Sequence, residues 1–191
     1  MPKLKTINQI LTEYHFLEYS TRKRNLAYQI QYLDLKIGLL ESGSYYGVIK
    51  SSLIRDLVIN ITNILEYLLF VSLRTLRGRD PENFRFPSLV GQAKRSGLIS
   101  KDLARLLNEI VELRNNLHPS KQNKELDINC FTKKEFYLCL KALNLLKNEL
   151  KEFFSKEGIK VETEDVRCPY EGYSQVLFSD FICPYCGGYH I

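Results

Sequence analysis

The feature that most constrains this chain is the run from about Val48 to Leu76, where Leu53, Leu57, Ile61, Ile64, Leu65 and Leu68 recur at helical spacing. Apolar residues three and four apart lie on one side of an α-helix, and such a stripe has to be buried against other elements. Val58 and Ile59 fall off this stripe. They also fall off the polar row Asp56, Asn60, Asn63 and Tyr67. The helix is therefore expected to be buried on more than one side, and the polar row either lines a cleft or polar contact or faces solvent. Its most apolar stretch, Ile64 to Leu73, is ten residues long and contains Glu66. A bilayer span needs about 20 apolar residues, so this stretch reads as a core helix and not as a membrane anchor. The opening from Met1 to Asn8 is polar and basic, unlike a secretory signal. A soluble chain in the cytoplasm is the expectation.

Other helices surround the long one. Leu4, Ile7, Ile10 and Leu11 have helical spacing, and a second pattern runs from about Arg22 to Leu40 until Ser42-Gly43-Ser44 breaks it. Gly78 to Pro87 reads as a loop, followed by a short helix from Ser88 to Ser96 that ends at Gly97, where a left-handed cap carries no Cβ penalty. Ser100 is placed to cap a helix carrying Leu103, Leu106, Leu107, Ile110 and Leu113, with Pro119 as its stop. Thr132 and Glu135 form a capping box for a last helix that carries Phe136, Leu140, Leu143, Leu146 and Leu150 and ends before Gly158. The 191 residues thus divide into an all-α, antiparallel helical bundle over 1–158 and a short tail over 159–191.

Charge follows the same division. The chain is +5, and the tail, with Lys160 and Arg167 against Glu162, Glu164, Asp165, Glu171 and Asp180, is −3, so the bundle carries +8. Arg74, Arg77, Arg79, Arg85, Lys94, Arg95, Lys101 and Arg105 cluster in sequence against Asp80, Glu82 and Asp102. Such a cluster is either a solvated helical face or a surface that attracts phosphates.

The segment with chemical potential is Glu112-Leu113-Arg114-Asn115-Asn116-Leu117-His118-Pro119. On a continuing helix Arg114 and His118 share a face. Histidine moves protons near neutral pH, and arginine holds a phosphate through two parallel hydrogen bonds. The same pair in a last helical turn also suits the unpaired carbonyls there, which is a purely structural use.

The run Pro87-Ser88-Leu89-Val90-Gly91-Gln92-Ala93-Lys94-Arg95-Ser96-Gly97-Leu98-Ile99, the helix from Leu103 to Glu112, and Leu113-Arg114-Asn115-Asn116-Leu117-His118-Pro119 together resemble the closing half of a HEPN domain. The helix around Ile61 to Leu69, with Glu66 embedded, resembles that family's long helix, so the likeness covers about 45–155. It implies a metal-independent endoribonuclease of a toxin, antiviral-defence or RNA-processing system. It also implies a homodimer in which two Arg–His pairs converge on RNA. Arg114 would stabilise charge on the scissile phosphate, and His118 would act as general acid or base. Asn115 would orient the site, and Glu66 would approach it. The family pattern usually leaves four to six residues between Arg and His, whereas Asn115, Asn116 and Leu117 are the three here. One residue rotates a helical side chain by about 100°. The alternative the resemblance allows is a non-catalytic dimerisation, RNA-binding or protein-binding module.

The tail carries a second pattern. Cys168-Pro169-Tyr170-Glu171-Gly172 precedes a β-like run through Val176 to Ile182, and Cys183-Pro184-Tyr185-Cys186-Gly187-Gly188-Tyr189-His190 follows. Cys-x2-Cys followed by glycine is a knuckle that presents two thiolates to a tetrahedral ion. The tail resembles a β-hairpin zinc ribbon with one altered knuckle. Cys168, Cys183 and Cys186 are the expected ligands to a structural Zn²⁺, with His190, or else Glu171, as the fourth. Cys130 and Cys139 lack metal-like spacing and are expected to be packing residues.

Overall fold

The computed structural model describes residues 4–17, 21–43, 45–115 and 131–158. The expected β-hairpin and all the expected zinc ligands fall in 159–191, outside the described residues. Six helices make up the described part: α1 (Ile7–Glu13), α2 (Thr21–Ser42), α3 (Gly47–Arg77), α4 (Phe86–Arg95), α5 (Lys101–Asn115) and α6 (Lys133–Lys156). The described residues are all-α, with no strand among them, as the periodicity predicts.

Helix α3 is the axis of the bundle and packs against α2, α4, α5 and α6. Ile54, Leu57, Val58, Ile61, Ile64, Leu65, Leu68, Leu69, Val71 and Leu73 are all buried along it. Their spread around the helix axis follows from having neighbours on several sides. Each such side chain contributes about 1.5–3 kcal/mol when fully buried. By length and composition α3 is also apolar enough to cross a membrane, but most of its apolar stretch is covered by the other helices. Leu89, Leu107, Leu146 and Phe154 bring α4, α5 and α6 into the same core, where Phe154 stacks on Phe16 at 5.8 Å. Cys139 is a buried free cysteine, and burial pushes its thiol up to about 12, consistent with a packing role.

Local chemistry sets the helix ends. α4 starts two residues before the predicted Ser88, because Phe86 is buried and Pro87 sits in the first turn, where a missing N–H costs nothing. At its other end Gly97 has φ +71°. The Leu98 N–H donates to the Ala93 carbonyl at 2.9 Å and the Gly97 N–H to the Lys94 carbonyl at 3.2 Å, a Schellman motif that seats Leu98 in the core. At Ser100 the hydroxyl accepts from the Leu103 N–H at 3.1 Å. The Ser100 N–H and hydroxyl also donate to Glu149 of α6, both at 2.7 Å. Thr132 and Glu135 make the predicted capping box. At the opposite face Lys147 reaches from α6 to Glu13 of α1 at 2.5 Å, with Lys5 on the other carboxylate oxygen at 2.6 Å. Burial raises the Glu13 carboxyl, but the two lysines outweigh it and hold it below the usual range.

Candidate functional site

The fold brings Glu66 and Arg114 together. Glu66 lies midway along α3 and Arg114 in the last turn of α5, two helices that pack against each other. Arg114 Nη1 donates to Glu66 Oε2 at 2.5 Å. The side chains are 37% and 24% exposed, so the guanidinium remains reachable from solvent. A guanidinium has five N–H donors, and this contact leaves others for a second anion. Asn115 is the last residue of α5 and is partly buried. His118, the expected proton carrier, lies outside the described residues.

Glu66 also lines a cleft of about 430 Å³ with Gln29, Asn63, Tyr67, Phe70, Phe84 and Leu89. One wall is aromatic. Tyr67 stacks on Phe70 at 6.3 Å, and Phe70 meets Phe84 at 5.4 Å. Phe84 stands 56% exposed. The Arg22 guanidinium lies 4.8 Å from the centre of the Phe70 ring. Burial raises the Tyr67 hydroxyl pKa despite Arg22 and a hydrogen bond with Asn25, so the phenol stays protonated at neutral pH. Gln29 Oε1 is buried in this region without a hydrogen-bond partner. The cleft therefore combines flat rings, amides and an acceptor lacking a donor, next to an arginine that can hold a phosphate.

The polar row on α3 divides between two uses. Asp56 accepts from Lys36 Nζ of α2 at 2.7 Å, whereas Asn63 and Tyr67 line the cleft. The basic cluster divides as well. Arg74 and Arg22 both bind Asp80, and hydrogen bonds from Arg22 and then Arg74 hold that carboxyl below its ordinary range. Arg105 sits 3.7 Å from Asp102. Arg77 donates instead to the amide oxygen of Gln92 at 2.7 Å.

Sequence reasoning did not find Gln29, Phe70 or Phe84 as cleft residues. Phe84 gives only a partial signal, as one of two phenylalanines in an otherwise polar loop. Among the described residues no group of three or more His, Cys, Asp or Glu side chains converges as a metal site. Comparison with protein-family models, curated proteins and solved structures finds no match for this chain.

Proposed function

We propose that this chain is a HEPN-like, metal-independent endoribonuclease of a toxin, defence or RNA-processing system, acting as a homodimer. The observation that carries the reading is the Arg114–Glu66 pair beside an aromatic cleft. The pairing turns one edge of the guanidinium toward Glu66 and leaves the rest for a phosphate. The rings of Tyr67, Phe70 and Phe84 suit stacking of an unpaired base, the usual way proteins hold single-stranded RNA. In the reaction the 2′-hydroxyl gives its proton to His118, and its oxygen bonds to phosphorus. The bond to the 5′-oxygen breaks, and that oxygen leaves as it takes up a proton. The products are a 2′,3′-cyclic phosphate and a 5′-hydroxyl. Asn115 orients the site, and Arg114 stabilises charge developing on the phosphate oxygens.

The reading extends to assembly and to the tail. Exposed Tyr32, Leu35 and Leu39 on α2, with Tyr46, Val48 and Ile49 at the start of α3, favour association with a second copy. The tail is proposed to hold one structural Zn²⁺ through Cys168, Cys183, Cys186 and His190. Native mass spectrometry of protein purified without chelators should give a dimer with about one zinc per chain, as for a single tetrahedral site. A zinc-free monomer contradicts both.

A second reading, a non-catalytic RNA-binding or protein-binding module, is favoured by the carboxylate already on Arg114 and the short Arg-to-His spacing. RNA cleavage in EDTA by wild type beside His118→Ala separates the two. The nuclease reading expects cleavage that the variant loses by about 10²–10⁴-fold. No cleavage by either protein over a broad RNA panel leaves the module reading.

A further inference from the structure

A second cleft, lined by neither Arg114 nor Glu66, lies where α3 runs into α4. It measures about 540 Å³ and is lined by Arg77, Arg79, Glu82, Asn83, Ser88, Gln92 and Arg95. We infer that this cleft is a binding site for a phosphate group, gripped by Arg77, Arg79 and Arg95.

The cleft is built around a fixed centre. Gln92 is 5% exposed, and both ends of its amide are engaged. Its oxygen accepts from Arg77 Nη1 at 2.7 Å, and its nitrogen donates to the Asn83 carbonyl at 3.2 Å and to Ser88 Oγ at 3.3 Å. That amide sets the orientation of the Arg77 guanidinium and ties the loop before α4 to the helix. Arg95 is held near by its own helix: a Cβ at Gly91 would lie 3.5 Å from Arg95 Nη1, so the guanidinium folds back over that glycine.

The charge balance around the cleft points to the same ligand. Four other arginines are matched to carboxylates: Arg22 and Arg74 to Asp80, Arg105 to Asp102, Arg114 to Glu66. Among the described residues, no ion pair joins Arg77, Arg79 or Arg95 to a carboxylate, although Glu82 lines the same cleft. Three like charges converge with one opposing charge, an arrangement that repels itself until an anion enters. Guanidinium groups match the tetrahedral oxygens of phosphate in pairs, which a lone lysine cannot do. Ser88 Oγ adds a neutral hydroxyl to the same wall. The phosphate is either free, as in an inorganic or nucleotide phosphate, or a diester of an RNA backbone. The inference stands whether or not the protein cleaves RNA.

The test is isothermal titration of the full chain with two probes. One is inorganic pyrophosphate. The other is a short 2′-O-methyl RNA, which carries phosphodiesters but no free 2′-hydroxyl to react. Wild type is compared with Arg79→Gln/Arg95→Gln and with Glu82→Gln. Both arginines are exposed, so the double variant should melt like wild type. At least one probe should bind wild type and lose about tenfold or more in affinity in the double variant, the scale of charge-assisted hydrogen bonds. Glu82→Gln should bind that probe more tightly. Loss confined to pyrophosphate assigns the site to a free phosphate, and loss confined to the RNA assigns it to the backbone. If wild type binds neither probe, or the double variant binds both as tightly as wild type does, the inference is overturned.

Discussion

Arg114 and the trio Arg77, Arg79 and Arg95 are held in opposite ways. Arg114 is bound by a carboxylate from a neighbouring helix, beside a cleft walled by aromatic rings. Arg77, Arg79 and Arg95 converge on a second cleft whose central partner is a neutral amide. A carboxylate partner fixes where a guanidinium points but cancels much of its long-range field. A neutral partner leaves the charge intact and the direction less constrained. The difference suggests a division of labour. On the proposed function, one edge would position a phosphate closely enough for chemistry, and the other would draw phosphates in.

That division can be broken most sharply by kinetics. Arg114→Ala should lower kcat for RNA cleavage by about 10²–10³-fold, the usual cost of losing a group that stabilises transition-state charge. If the second cleft takes the RNA backbone, the Arg79→Gln/Arg95→Gln variant should leave kcat intact and raise KM about tenfold, an effect that fades as salt screens it. Equal losses of kcat in the two proteins would remove the distinction.

Glu66→Gln keeps an acceptor for Arg114 but removes the charge that holds it. Loss of one charge-assisted hydrogen bond suggests a fall in kcat of about tenfold. Affinity for RNA should hold or improve, because a carboxylate leaves the neighbourhood of the phosphate. Weaker RNA binding with kcat unchanged would mean that Glu66 contacts RNA itself and does not position Arg114.

Much of the frame was legible in sequence because burial writes a period into it. The α3 stripe, the capping box of Thr132 with Glu135, the Ser100 cap and the left-handed Gly97 each rest on residues within a few positions of one another. Periodicity reports which face is buried but not what lies against it. The Ser100–Glu149 and Lys147–Glu13 contacts join residues 49 and 134 positions apart, and no local pattern encodes them. The same limit applies to the candidate site. Glu66 stood out as an acid in an apolar helix, but only a family resemblance placed it near Arg114, 48 positions away. The basic cluster read as one unit in sequence. In the fold, Asp80 takes Arg74 while Gln92 takes Arg77, a separation decided by loop geometry that the sequence does not display.

If the Arg114 edge serves RNA cleavage, as proposed, the attacking group is the substrate's own 2′-hydroxyl. The most direct measurement uses a cleaved RNA and its twin with a single 2′-deoxy residue at the cleavage position, both in EDTA. The all-RNA strand should yield a 2′,3′-cyclic phosphate end, and the 2′-deoxy twin should stay intact at that position. Cleavage of the twin at the same bond, at a comparable rate, would contradict that expectation.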